Sequence, residues 1–147
     1  MKTLELTAHP ARPPSRISSI TARLVSLDGE WLRLRWRIEG AQALVAPPFA
    51  GRGRADGLWR TTCFELFVRE GEGPGYAEFN LSPSERWNAY RFADYREGQE
   101  ELPMPREPDC TLRQGSSFAI FDAAIPAIPL FDGEPAIALS AVIEEEG

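Results

Sequence analysis

The sequence predicts an all-β protein, an antiparallel β-sandwich of the jelly-roll or immunoglobulin-like kind, and three observations carry that prediction. Apolar and polar residues alternate with the strand period of two in one segment after another. Between two such segments stands Asp28-Gly29, a dipeptide that closes tight hairpins. Thirteen prolines and twelve glycines break the chain at short intervals, which suits short strands rather than long helices. The chain of 147 residues is read as one domain, long enough to bury a real core.

Along the chain, residues 17–27 and 31–38 flank the Asp28-Gly29 turn. In the second of these, Leu32, Leu34, Trp36 and Ile38 alternate with Arg33, Arg35 and Arg37, giving one buried face and one basic, solvated face. Residues 40–57 are loop-rich, with APPFAGRGRADG mobile by composition, and they lead straight into Trp59. After Tyr95 comes a polar, proline-bearing stretch, REGQEELPMPREPD; strands resume at 110–114, 118–125 and 136–143. The sequence has no internal repeat and no domain linker.

The densest information lies in residues 58–95, read as three consecutive antiparallel strands. The first puts Phe64, Leu66 and Val68 on one face and Cys63, Glu65, Phe67 and Arg69 on the other. The second puts Ala77, Phe79 and Leu81 against Tyr76, Glu78, Asn80 and Ser82. A tight hairpin opposing Arg69 to Glu78 sets Phe67 opposite Asn80 and Glu65 opposite Ser82, which keeps the apolar sets together. Continuing through the 83–86 turn opposes Ser82 to Trp87 and Glu78 to Arg91. One face is then expected to present Trp59, Glu65, Glu78, Asn80, Trp87 and Arg91.

Composition narrows the function. A net charge of −6 argues against a nucleic-acid partner or an anionic membrane, both of which favour a basic face. No apolar run approaches membrane-spanning length, and MKTLELTAHPARPPSR lacks a signal core, so a cytoplasmic location is expected. Cys63 and Cys110 fit two buried thiols of a reducing compartment, with a bridge open only if they are neighbours. With His9 the only histidine, a zinc site and a Ser-His-Asp triad both lack their parts, and no metal or other cofactor is expected.

Glu65 and Glu78 on neighbouring strands form the one carboxylate pair with a catalytic reading. Opposing Arg69 and Arg91 would depress both acids, whereas a general acid needs a raised pKa, so no enzyme activity is expected. GRGRADG lacks the lysine and the helix of a phosphate-cradling loop.

The remaining chemistry suits a small polar ligand. A saccharide needs flat aromatic faces for its C–H side and planar polar groups for its hydroxyls. Trp59 and Trp87 would supply the first; Glu65, Asn80 and Arg91 would supply the second. Each has a packing alternative: the tryptophans as core, Glu78 with Arg69 and Arg91 as a cross-strand charge ladder, Asn80 as the start of a turn. Tyr90 and Tyr95 are expected to pack with Phe92 on the opposite face or cover the sheet edge.

The stretch LWRTTCFELFVR…GYAEFNLSPSERWNAYRFADYR resembles the DOMON-like family of small bacterial proteins, related to family 9 carbohydrate-binding modules and to sugar- and haem-binding DOMON sandwiches. The resemblance rests on W-x-x-T-C-F-E-L-F and E-F-N-x-S-P-S-x-x-W, with a looser fit at TAHP and around Asp28-Gly29. It implies a sandwich with a ligand pocket on one sheet, tryptophans clamping a sugar, and Trp59, Glu65, Asn80 and Trp87 at matching positions. Similar proteins run on past AVIEEEG into a segment with more aromatics and histidines near an A-H-P motif. A missing final strand is therefore expected, leaving a sheet edge open to a homodimer. Two further readings stay open: a haem- or redox-binding domain, for which His9 and Met104 are the internal ligands, and a protein-interaction sandwich anchored by its tryptophans.

Overall fold

The computed structural model describes residues 3–11 and 13–146. They build a β-sandwich from eleven strands: β1 (Thr3–Glu5), β2 (Ser19–Leu27), β3 (Trp31–Glu39), β4 (Gly53–Arg54), β5 (Cys63–Arg69), β6 (Tyr76–Leu81), β7 (Arg86–Phe92), β8 (Glu100–Glu101), β9 (Asp109–Gln114), β10 (Phe118–Pro126) and β11 (Ile137–Val142). One sheet has the order β1-β2-β3-β10-β9; the other has β11-β5-β6-β7-β4, with β8 also paired to β7. Pairing is antiparallel except between β4 and β7. Gly147, on which the expectation of a missing final strand rests, lies outside the described residues.

The alternation read from the sequence is what fills the space between the sheets. Leu32, Leu34, Trp36 and Ile38 of β3 are buried, and Arg33 and Arg37 face water. Trp36 meets Phe64 of the other sheet at 5.4 Å between ring centroids, and Phe64 stacks on Phe121 of β10 at 4.2 Å. Phe79 of β6 packs on Phe131 from the connection between β10 and β11. This aromatic cluster bridges both sheets, so neither sheet buries its apolar face alone.

The Asp28-Gly29 hairpin forms as expected, and its chemistry is local. The Asp28 carboxylate accepts the backbone N–H groups of Glu30 and Trp31 at 2.8 Å each, which holds its carboxyl below the usual range. Gly40 ends β3 with φ 72°, and a Cβ there would stand 2.4 Å from the Arg16 carbonyl oxygen, so no other residue fits. Cys63 and Cys110 are both buried and unbridged.

Two registers differ from expectation, with different consequences. In the β5–β6 hairpin Arg69 opposes Tyr76, Phe67 opposes Glu78, and Glu65 opposes Asn80. Glu70 N–H bonds to the Gly75 carbonyl and closes a four-residue loop, two residues away from the expected pairing. An even slip leaves every side chain on its face.

In the β6–β7 hairpin Leu81 opposes Trp87, Ala77 opposes Arg91, and Glu78 opposes Tyr90. Ser82 N–H bonds to the Arg86 carbonyl around a loop of Pro83, Ser84 and Glu85. Glu85 takes φ 74°, the left-handed residue that a three-residue hairpin loop requires. This slip is odd, and it turns β7 over. Trp87 points into the core and is 3 % exposed, and Arg91 leaves the polar face. Asn88, Tyr90 and Phe92 take their places, so Tyr90 and Phe92 are not on the opposite face as expected.

Candidate functional site

The outward face of the second sheet carries the polar cluster, built in rows by strand pairing. One row runs Ser140–Glu65–Asn80–Asn88 across β11, β5, β6 and β7. The next runs Phe67–Glu78–Tyr90, and the third places Tyr76 beside Phe92. Three of the six expected residues, Glu65, Glu78 and Asn80, are thus brought together. Tyr76 and Phe92 stack at 4.9 Å between centroids, and Tyr90 meets Phe92 at 6.5 Å, giving this face its aromatic part.

The segment before β5 borders the cluster. From β4, paired alongside β7, the chain reaches Asp56, whose carboxylate accepts Tyr90 Oη–H at 2.6 Å and Asn88 Nδ2–H at 3.0 Å. Arg54 donates to Asn88 Oδ1 at 2.8 Å. Burial, then the bond to Asp56, raises the Tyr90 phenol. The chain next makes a short 3-10 turn, Leu58–Arg60, against β5 and β6. Trp59 sits on this turn, half exposed at 54 %, with the Arg60 guanidinium 5.5 Å from its ring. It borders the face from a loop rather than standing on a strand.

Asn80 and Asn88 face each other but differ in what they have left to bond. Asn88 is fully used: its amide nitrogen reaches Asp56 and the Ala55 carbonyl, and its oxygen takes Arg54 and the Ala89 N–H. Asn80 is 2 % exposed, and its Oδ1 has no hydrogen-bond partner. A buried acceptor left unbonded costs about 1–3 kcal/mol. Stable sandwiches rarely keep one without a use.

The expected arginine ladder does not form. Arg91 pairs with Glu70 at 2.6 Å, and Arg69 bonds to the carbonyls of Glu72 and Gly73. Among the described residues no ion pair reaches Glu65 or Glu78. Glu65 accepts the Ser140 hydroxyl at 2.7 Å. Burial and the neighbouring Glu65 charge raise the Glu78 carboxyl, with the Asn80 amide and Arg96 acting the other way. No arginine is ion-paired to either acid and the Glu78 carboxyl is raised, contrary to the premise on which a catalytic pair was set aside.

Other features lie apart. Arg91 lines a cleft of ≈ 640 Å³ with Arg69, Glu70 and the 129–136 connection, and a cleft of ≈ 420 Å³ lies beside the Asp28 hairpin. Neither is lined by Asn80, Glu65 or Glu78. His9 is exposed near the N-terminus, while Met104 packs against the core. Among the described residues no group of three His, Cys, Asp or Glu side chains is placed to hold a metal.

Phe67 and Tyr76 lie on this face as the alternation predicts, whereas Asn88, Tyr90, Asp56 and Ser140 were missed as parts of it. Proline followed by serine before a residue able to take the left-handed conformation would have signalled the three-residue loop, and with it Asn88 and Tyr90. The loop-rich 40–57 segment leads into Trp59 and so was expected beside the site, but nothing in the sequence singles out Asp56 within it.

The chain matches no protein-family model and no curated protein. Its fold is similar to that of a solved structure from Bacteroides uniformis ATCC 8492 described as a "putative carbohydrate-binding protein". The TM-score is 0.58 at 16 % identity, over 95 % of this chain and 67 % of that one. At this identity the likeness is one of fold.

Proposed function

We propose that the protein is a non-catalytic saccharide-binding sandwich of the DOMON-like type, related to family 9 carbohydrate-binding modules, and that it binds through the outward face of the second sheet. The observation that carries this reading is the buried, unbonded Asn80 Oδ1 among Glu65, Glu78 and Asn88. A sugar hydroxyl supplies the donor that Asn80 lacks, while the half-buried Phe67 and Tyr76, the latter backed by Phe92, offer ring surface for the C–H side. The similar fold of a protein described as carbohydrate-binding supports the same reading.

Asn80→Ala separates a binding role from a structural one. It removes an unbonded buried acceptor, so the melting temperature should hold or rise, while saccharide affinity measured by calorimetry against neutral mono- and disaccharides should fall roughly tenfold, the scale of one hydrogen bond to a buried partner. A destabilised variant with unchanged affinity would overturn the reading.

Glu65 and Glu78 favour one second reading, a glycoside-hydrolysing pair, because Glu78 has the raised carboxyl of a general acid. Incubation with aryl glycosides tests it. Release of the aryl group that disappears in Glu78→Gln would replace binding with hydrolysis.

A further inference from the structure

We propose that the ligand of this face is an amino sugar, held with its protonated amine between Glu65, Glu78 and the Asn80 oxygen; the inference rests on the saccharide reading of the same face. Its basis is a count of what the face has left to offer. Most donors are engaged: Ser140 Oγ–H goes to Glu65, and Tyr90 Oη–H and Asn88 Nδ2–H go to Asp56. The Asn80 amide acts on Glu78, while Tyr76 Oη accepts the Arg96 N–H and keeps its own O–H. Arg54, Arg69 and Arg91 bond to groups other than the two glutamates. Acceptor capacity is left over: two carboxylates without an ion pair, each with a single neutral side-chain donor beside it, and one buried amide oxygen without a partner.

Geometry puts the three acceptors side by side. Asn80 lies directly opposite Glu65, and Glu78 lies two residues along β6 on the same face. Directly opposed side chains have Cβ atoms about 4.5–5.5 Å apart, and diagonal neighbours lie at about 7–8 Å. An ammonium carries three donors and no acceptor, so it can satisfy all three at once. Its charge also relieves the repulsion between the carboxylates, which a neutral hydroxyl cannot do. Arg96, whose guanidinium lies over Tyr95 at 5.0 Å, is among the described residues the one cation that acts on the Glu78 carboxyl, and its effect is smaller than that of the Glu65 charge. A uronic acid would bring a third carboxylate to an acceptor-rich face and is disfavoured.

The test is calorimetric titration of the intact chain, below neutral pH and at low salt, with glucose, glucosamine, N-acetylglucosamine, glucuronate and cyclohexylammonium. Glucosamine should bind roughly tenfold more tightly than glucose, on the scale of one charge-assisted hydrogen bond. N-acetylglucosamine, which has the same ring but no ammonium, should show no such gain, and glucuronate should bind more weakly than glucose. In Glu65→Gln and Glu78→Gln, which keep shape and remove charge, the ratio of glucosamine to glucose affinity should fall to near one.

Equal affinity for glucose, N-acetylglucosamine and glucosamine would overturn the amino-sugar inference and leave saccharide binding standing. Binding of cyclohexylammonium with no sugar bound would overturn both, because the ring hydroxyls would have no part. Binding of none of the five would overturn both as well.

Discussion

Glu78 faces a like charge, is partly shielded from water, and has no arginine paired to it, so its ionised form is disfavoured in the folded chain. The sign of the resulting pH dependence follows from its raised carboxyl. Below the ordinary glutamate range the group is neutral in both folded and unfolded states, and stability is at its fullest. As pH rises through the raised native value, the folded state must ionise at a site that resists charge, and stability falls. Glu78→Gln removes this loss. The variant should melt above the wild type at pH 7, by an amount equivalent to no more than about 1 kcal/mol because the site is open to screening by water. The difference should close on acidification. A scan of melting temperature against pH checks it; a variant less stable than wild type at neutral pH would mean that Glu78 has a cationic partner after all. Asn80, in the same cluster, could be read from sequence only as a polar residue on the outer face. Its lack of a partner depends on where the side chains of its cross-strand neighbours Glu65 and Asn88 go, and that is tertiary information.

At the scale of elements, the β6–β7 hairpin decides which residues share the site, and a single residue in its loop decides the hairpin. The strands and their alternation were legible: β5 and β6 present the expected faces although their loop is two residues off. For β7, a three-residue loop closed by Glu85 in a left-handed conformation replaces the expected four residues. Trp87 then joins the core, and Asn88 and Tyr90 join the face. Parity amplifies a one-residue error into a change of side, whereas helix periodicity would have blurred it.

The second element of the site, the 53–60 segment, is held to β7 through Asp56. Asp56→Ala would leave the Tyr90 hydroxyl and the Asn88 amide nitrogen without their charged acceptor, at a cost of about 1–3 kcal/mol. Tyr90→Phe removes only one of these bonds and should cost roughly 1 kcal/mol. Because both changes break the same contact, the double variant should be less destabilised than the sum of the singles, as a double-mutant cycle by chemical denaturation would reveal. Strict additivity would show that the segment is held by something else.

For the whole molecule, the aromatic cluster of Trp36, Phe64 and Phe121 predicts how the sandwich opens. These rings come from both sheets and stack across the interface, so separating the sheets loses the core in one step rather than by layers. The two cysteines report on this from opposite sheets: Cys63 begins β5 and Cys110 lies in β9, and both are buried. Burial pushes the Cys63 thiol up to about 12 and Cys110 higher still, so neither offers a reactive thiolate while folded. With an aromatic disulfide reagent in large excess, each thiol is trapped as soon as it is exposed, and its modification rate becomes the opening rate of its own sheet. Cooperative opening requires the two rates, followed on Cys63→Ser and Cys110→Ser variants of matched stability, to agree. Among the described residues β9 lies at the edge of its sheet and pairs with β10 alone, which makes it the place where cooperativity would fail first. Cys110 modified tenfold faster than Cys63 would show that β9 frays on its own. The outward face of the other sheet would then stay assembled while the edge opens, and ligand binding would protect Cys63 but not Cys110. Equal rates, slowed together by ligand, would tie the site to the folding of the entire sandwich.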